Sequence, residues 1–248
     1  MSRPVSHRAR TRTSFLLATV LTVLVVTFNP LSSGKHLRSM LGIGQDLTFT
    51  ITDNGAGAGY TFAATQPRSG EPVTWDRCAE IRYVVNPEGA PADQRRLLAD
   101  AVADIEGASG LEFRYDGTTT ARDFRDRASL FGPVPPVLVG WATPDEVPEL
   151  AGEVAGVGGA EAARTGPDEL AYVTGMVVLD RDAFAALAER PDGADLQRAV
   201  IVHELAHVVG LGHVDDTGEL MYPETTRRTE LGPGDRTGLD ILGQGPCR

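Results

Sequence analysis

Histidine is scarce in this chain, with five copies in 248 residues, and cysteine is scarcer, with two. Neither Cys78 nor Cys247 has another Cys or His nearby in sequence. That argues against a thiolate metal site, whose ligands come in close pairs. Basic residues are outnumbered, 23 against 34 acids, for a net charge of −11. The deficit deepens in the body of the chain. Residues 1–39 hold six basic residues and no acid, so residues 40–248 carry −17. Such a surface repels nucleic acid and anionic lipid and excludes a nucleic-acid partner. Internal repeats are absent, which excludes a solenoid. At 42% hydrophobic and 23% charged residues, the composition is that of a soluble globular protein, not of a disordered or membrane-embedded one.

Long apolar runs are missing too, with one exception. FLLATVLTVLVVTF, residues 15–28, follows Arg3, Arg8, Arg10 and Arg12 and precedes NPLSSG. A positive segment, a short apolar run and then small residues form the pattern of a secretory signal. The run is shorter than the ~20 residues that span a bilayer comfortably. No clear small-residue cleavage site follows, and counted to Ser33 the uncharged stretch reaches nineteen residues. Residues 1–34 are therefore expected to be either a removed signal peptide or a retained N-terminal membrane anchor with its N-terminus cytoplasmic. Both readings export the body, to a secreted or extracellular location. Outside the cell, an even cysteine count suggests a Cys78–Cys247 disulfide. The alternative is two separate, partly buried thiols.

Residues 35–72, rich in Gly, Thr and Ala with GAGAG at 55–59, read as a flexible connector, with a short strand in LTFTIT (47–52). From Val73 the signals sharpen. Strands are expected at 81–87, 111–117, 136–144 and 171–180, and helices at 91–110, 181–193, 194–212 and near 233–242. The Gly/Ala-rich stretch 149–166 reads as a loop. This order suggests a mixed α/β layer structure, a twisted sheet with helices against it.

Three of the five histidines fall within HELAHVVGLGH, His203 to His213. On a helix, His203 and His207 are one turn apart on the same face and can share a zinc ion. Glu204 can reach a water at that metal. Gly210 lets the chain leave the helix through left-handed dihedrals, so that His213 can swing back as a third ligand. Three neutral ligands leave one position open, which is the arrangement of a catalytic zinc rather than a structural one. Asp215 and Asp216 follow closely and could orient a ligand imidazole or form a solvated turn. Calcium could sit among the Asp- and Gly-rich loops, but no ordered calcium motif is present.

Downstream lies ELMYP, Glu219 to Pro223. HELAHVVGLGH followed by a methionine in a turn resembles the metzincin zinc peptidases, and the LMYP wording is closest to their matrixin-like branch. PVTWDRCAEIRYVVNPEGAP (72–91) is similar to the start of bacterial exported, matrixin-like catalytic domains. The resemblance covers roughly residues 72–248. It implies a zincin-like fold, a mostly parallel twisted sheet with one antiparallel edge strand above the active-site helix. It also implies Met221 as an apolar floor under the zinc, and substrate pairing with the edge strand, placed here within 149–175. Tyr222 is a candidate for a hydrogen bond to the oxyanion, or a structural tyrosine. The chain departs from the family in two respects: with no histidine between His36 and His203, a second, structural zinc cannot be built in the same way from upstream histidines, and no propeptide cysteine is found that could cap the zinc.

The expected domain is therefore a zinc peptidase over residues 73–248, acting on protein or peptide, with a monomer as the default state. The expected chemistry is hydrolysis with Glu204 as general base. Two other readings remain open. One is a surface-displayed zinc-containing binding module on the same fold, and the other is a hydrolase of cell-wall peptide.

Overall fold

The structure is a computed structural model, and it describes residues 59–125, 127, 133–224 and 227–248. The expected signal or anchor, the strand at 47–52 and connector residues 35–58 lie outside the described residues. Among the described residues, no helix is long and apolar enough to cross a membrane.

Five strands form the main sheet: β2 (Ile81–Val85), β3 (Phe113–Thr118), β4 (Val137–Ala142), β5 (Gly156–Gly166) and β6 (Glu169–Asp180). They lie in the order β3-β2-β4-β6-β5. The β2/β3, β2/β4 and β4/β6 pairs are parallel, and β5 runs antiparallel to β6 at the edge. A two-residue strand, β1 (Thr61–Phe62), pairs separately with β7 (Leu211–Gly212). The helices are α1 (Gln94–Ser109), α2 (Arg181–Ala188), α3 (Gly193–Val209) and α4 (Pro233–Gly243). This is the mixed α/β, zincin-like architecture expected from the sequence.

Alternation along β4 shows why the sheet is buried on both faces. Val137, Val139 and Trp141 join the large core with Leu97, Leu98, Ala101 and Ile105 of α1 and with Ile201, Val202 and Leu205 of α3. Leu138 and Ala142 point the other way, into a smaller cluster with Phe124, Val147, Leu150 and Val178. A strand covered on both sides reads as a continuous apolar run, which is why VLV was recognisable. Helix α1 carries its stripe at the expected positions and stops at Gly110, whose φ of 72° is left-handed and whose N–H reaches Glu106 O.

Two expectations need correction. Residues 149–166 are not a loop: a short 3-10 turn at Pro148–Leu150 leads into β5, eleven residues long. Glycine is a poor strand former by propensity, but here α3 presses against the strand. A Cβ on Gly158 would sit 2.3 Å from the carbonyl oxygen of Glu204, so only glycine permits the contact. Nor is the connector loose over its described part. Thr61 is buried. Its neighbour Ala63 donates its N–H to Gly210 O at 2.8 Å, which makes β1 a backbone-paired brace on the chain leaving α3. Cys78 and Cys247 are joined in a disulfide across a sequence separation of 169, with Cα atoms 5.2 Å apart.

Candidate metal centre

Helix α3 carries His203 and His207 because its sequence is apolar nearly all round, with Ile201, Val202, Leu205, Ala206, Val208 and Val209 buried. Such a helix lies in the middle of a fold, not on its surface. It ends at Gly210, where φ is 122° and the N–H returns to Ala206 O. The reversal runs through β7 and brings His213 back over the helix. The imidazoles meet at their Nε2 atoms: His203 lies 3.2 Å and His207 3.1 Å from Nε2 of His213.

The other ring nitrogens explain the orientation. Nδ1 of His203 lies 2.7 Å from Leu220 O, and Nδ1 of His207 lies 2.8 Å from Leu211 O. A carbonyl only accepts, so each Nδ1 must carry the proton and each of these two Nε2 atoms presents a lone pair. Thr61 Oγ1 donates to the carbonyl of His213 itself at 2.8 Å, so β1 holds the third histidine in place. Burial keeps these rings neutral. It pulls His203 down to about 4, with the charge of His213 adding to the effect and the Leu220 hydrogen bond opposing it. His207 is pushed well below its usual value by burial and by the other two rings, and His213 is lowered by burial. Neutral rings whose nitrogens converge, two with lone pairs fixed inward, fit a zinc ion, the borderline-soft cation that imidazole prefers. The described residues hold one other group with metal-ligand potential, Asp76 with Cys78 and Cys247, whose sulfurs are bonded to each other.

Glu204 is buried between α3 and β5. The Gly158 N–H donates to its carboxylate, yet burial still pushes the carboxyl up to about 8. A Cβ on Gly156 would lie 2.8 Å from Glu204 Cγ, so the same glycines that let the helix approach also seat this side chain. Met221 is buried in the large core beside Leu220 and Leu231, and its carbonyl accepts the N–H of Val214, next to His213. The turn thus touches the ligand loop from below.

Asp215 and Asp216 do not orient the rings. Both are exposed, and Asp216 instead caps its own turn by accepting the Gly218 N–H at 2.8 Å. Backbone carbonyls take the role considered for them. Tyr222 is half-buried. Several contributors escaped the sequence reading. Leu211 and Leu220 act through backbone atoms, which carry no residue signature. Asp235 in the first turn of α4 accepts three backbone N–H groups, and its place two residues after Pro233 was a readable helix-start signal.

Residues 145–242 match the matrixin family model, a span from just before the 3-10 turn into α4 that contains the three histidines, Glu204 and Met221. No curated protein matches the chain. Among solved structures, the chain is similar to one described as the GM1-bound form of the ECX AB5 holotoxin. That likeness has 12% identity over 76% of this chain and 92% of the other, with a TM-score of 0.43. It is also similar to archaemetzincin from Methanopyrus kandleri, at 13% identity over 71% of this chain and 97% of the other, with a TM-score of 0.44. Likeness at this level says nothing about activity. The family match and the geometry of helix, returning loop and methionine turn agree on one conclusion: the chain has a metzincin-like fold.

Proposed function

We propose that the chain is an exported, zinc-dependent endopeptidase. What carries this reading is the convergence of the His203 and His207 Nε2 atoms on that of His213, at 3.2 and 3.1 Å, beside a buried carboxylate on the same helix. Bound at those nitrogens, zinc would supply Lewis acidity toward a peptide carbonyl and toward water. The chain's own residues supply the rest. His203, His207 and His213 act as neutral ligands. Glu204 takes the proton of the attacking water on its carboxylate and hands it to the leaving amine nitrogen. Burial alone favours the acid form of Glu204; a zinc ion beside it would favour the carboxylate that accepts the proton.

Among the described residues strand β5 has β6 on one side only, so its other edge can receive an extended peptide as an added strand. The acceptor is backbone, which favours a protein or peptide substrate over a small molecule. The Cys78–Cys247 disulfide and the arginine-led apolar start of the chain support export, with the first 34 residues as signal or anchor.

The test uses residues 40–248 loaded with zinc and an unfolded protein as substrate. Cleavage is expected to stop with a chelator and to return with zinc. Glu204→Ala is expected to retain zinc and to lose nearly all activity. Substantial hydrolysis by that variant would remove Glu204 from its role. Peptide binding without cleavage by the zinc-loaded wild type would turn the assignment to a binding module.

A further inference from the structure

The peptide group between Leu220 and Met221 is gripped from both sides. Its C=O accepts the Nδ1 proton of His203 at 2.7 Å, and its N–H reaches Oδ1 of Asp235 at 3.3 Å. The second carboxylate oxygen, Oδ2, accepts the Leu220 N–H at 2.6 Å and the Gly232 N–H at 2.9 Å. Asp235 is fully buried, at 0% exposure. It is fixed from behind as well, since its own N–H donates to Glu219 Oε2 at 2.9 Å. A carboxylate is costly to bury, and this one spends its acceptor capacity on the turn beneath the metal centre.

We propose that Asp235 is a positioning residue for the metal centre, acting on His203 through one interposed peptide. Negative charge at the N–H side polarises the peptide and strengthens Leu220 O as an acceptor. A stronger acceptor holds His203 in the Nδ1–H form and keeps its Nε2 lone pair aimed at the point shared with His207 and His213. In metal sites a carboxylate or carbonyl commonly steadies a ligand imidazole by direct contact. Here the carbonyl makes the contact and the carboxylate stands one peptide behind it. Helix α4 thereby reaches the site without presenting a side chain to it. The inference rests on the zinc-site reading above.

Asp235→Asn tests it. The amide is nearly isosteric, but its NH2 must face at least one of the N–H donors that the carboxylate accepts. The control is Leu239→Ala. Leu239 is a fully buried residue of the same helix, and its loss weakens α4 without altering the relay atoms. Two quantities are measured on zinc-loaded protein: the zinc dissociation constant by competition with a chelator, and the proton resonance of His203 Nδ1–H. D235N is expected to weaken zinc binding about 10–100-fold, the range for loss of such outer partners, and to shift the Nδ1–H signal upfield. L239A is expected to lower the melting temperature with both quantities near wild type. If D235N folds only with metal, it is expected to need at least ~10-fold more free zinc than L239A to fold. Equal zinc affinity and an unmoved Nδ1–H signal in D235N, or the same changes in L239A, would overturn the relay while leaving the zinc site standing. A wild-type protein that binds no zinc would instead end the zinc-site reading itself.

Discussion

Gly158 offers the sharpest test of how the fold builds the site. A Cβ there would lie 2.3 Å from the carbonyl oxygen of Glu204 and 2.9 Å from both its carbonyl carbon and its Cα. All three are backbone atoms of a buried helix, so no flexible side chain can swing away. Ordinary contact needs about 1 Å more, and either β5 or α3 must move by that amount. Overpacking of this kind costs about 1–3 kcal/mol, and a contact against rigid backbone belongs at the upper end. For a domain of this size, ~3 kcal/mol lowers the melting temperature by roughly 6–12 °C. The catalytic cost is expected to be larger than the loss of stability suggests. The shift would separate the Glu204 carboxylate from the edge strand on which substrate would lie, and a 1 Å misplacement can cost about 100-fold in rate. The assay compares Gly158→Ala with Gly107→Ala, by thermal melting and by kcat/KM on the same peptide. Gly107 lies inside α1 with open space around it, so alanine there is expected to stabilise by about 0.5–1 kcal/mol. A Gly158→Ala protein that melts and cleaves like wild type would refute the close approach of α3 to β5.

Two further outcomes follow from the geometry. Zinc-stripped Glu204→Gln protein is expected to be acid-labile. His203 titrates at about 4 in the fold, against 6.5 for an unperturbed histidine. The unfolded chain therefore takes up its proton first, and stability is full above 6.5 and drains away as pH falls toward 4. At pH 5, His203 alone costs about 2 kcal/mol; the variant removes the opposing proton uptake of Glu204, which sits at about 8 in the fold, and in it a urea midpoint unchanged between pH 7 and pH 5 would contradict this. Replacing both cysteines by serine opens a loop of 169 residues. It is expected to cost roughly 5 kcal/mol in the chain-entropy model, and a midpoint that neither the double variant nor reductant moves would count against it.

Much of the metal centre was legible in the chain because its logic is local. The spacing from His203 to His207 is one helical turn, and Gly210 supplies the reversal that returns His213. Those relations hold wherever the segment is helical. Strands β4 and β6 were legible for a similar reason, since apolar runs of that length have few other uses. Strand β5 was not. Glycines 156 and 158 carry no strand signal of their own, and their reason for being there is a helix nearly fifty residues downstream. The same holds for Thr61, which meets the carbonyl of His213 from 152 positions away.

The sequence by itself determined the chemistry of the site: which side chains could hold zinc, which carboxylate stands beside them, and that the fold is a mixed α/β one. The tertiary structure decided how that chemistry is held. Leu211 and Leu220 steady the imidazoles through their carbonyls, the Asp235 carboxylate holds the turn that carries Leu220, and β1 and the glycines of β5 set the distances. The physical reason is that a ligand is a side chain and is written in the sequence. A peptide carbonyl is present at every residue, and only the fold selects which one faces a histidine.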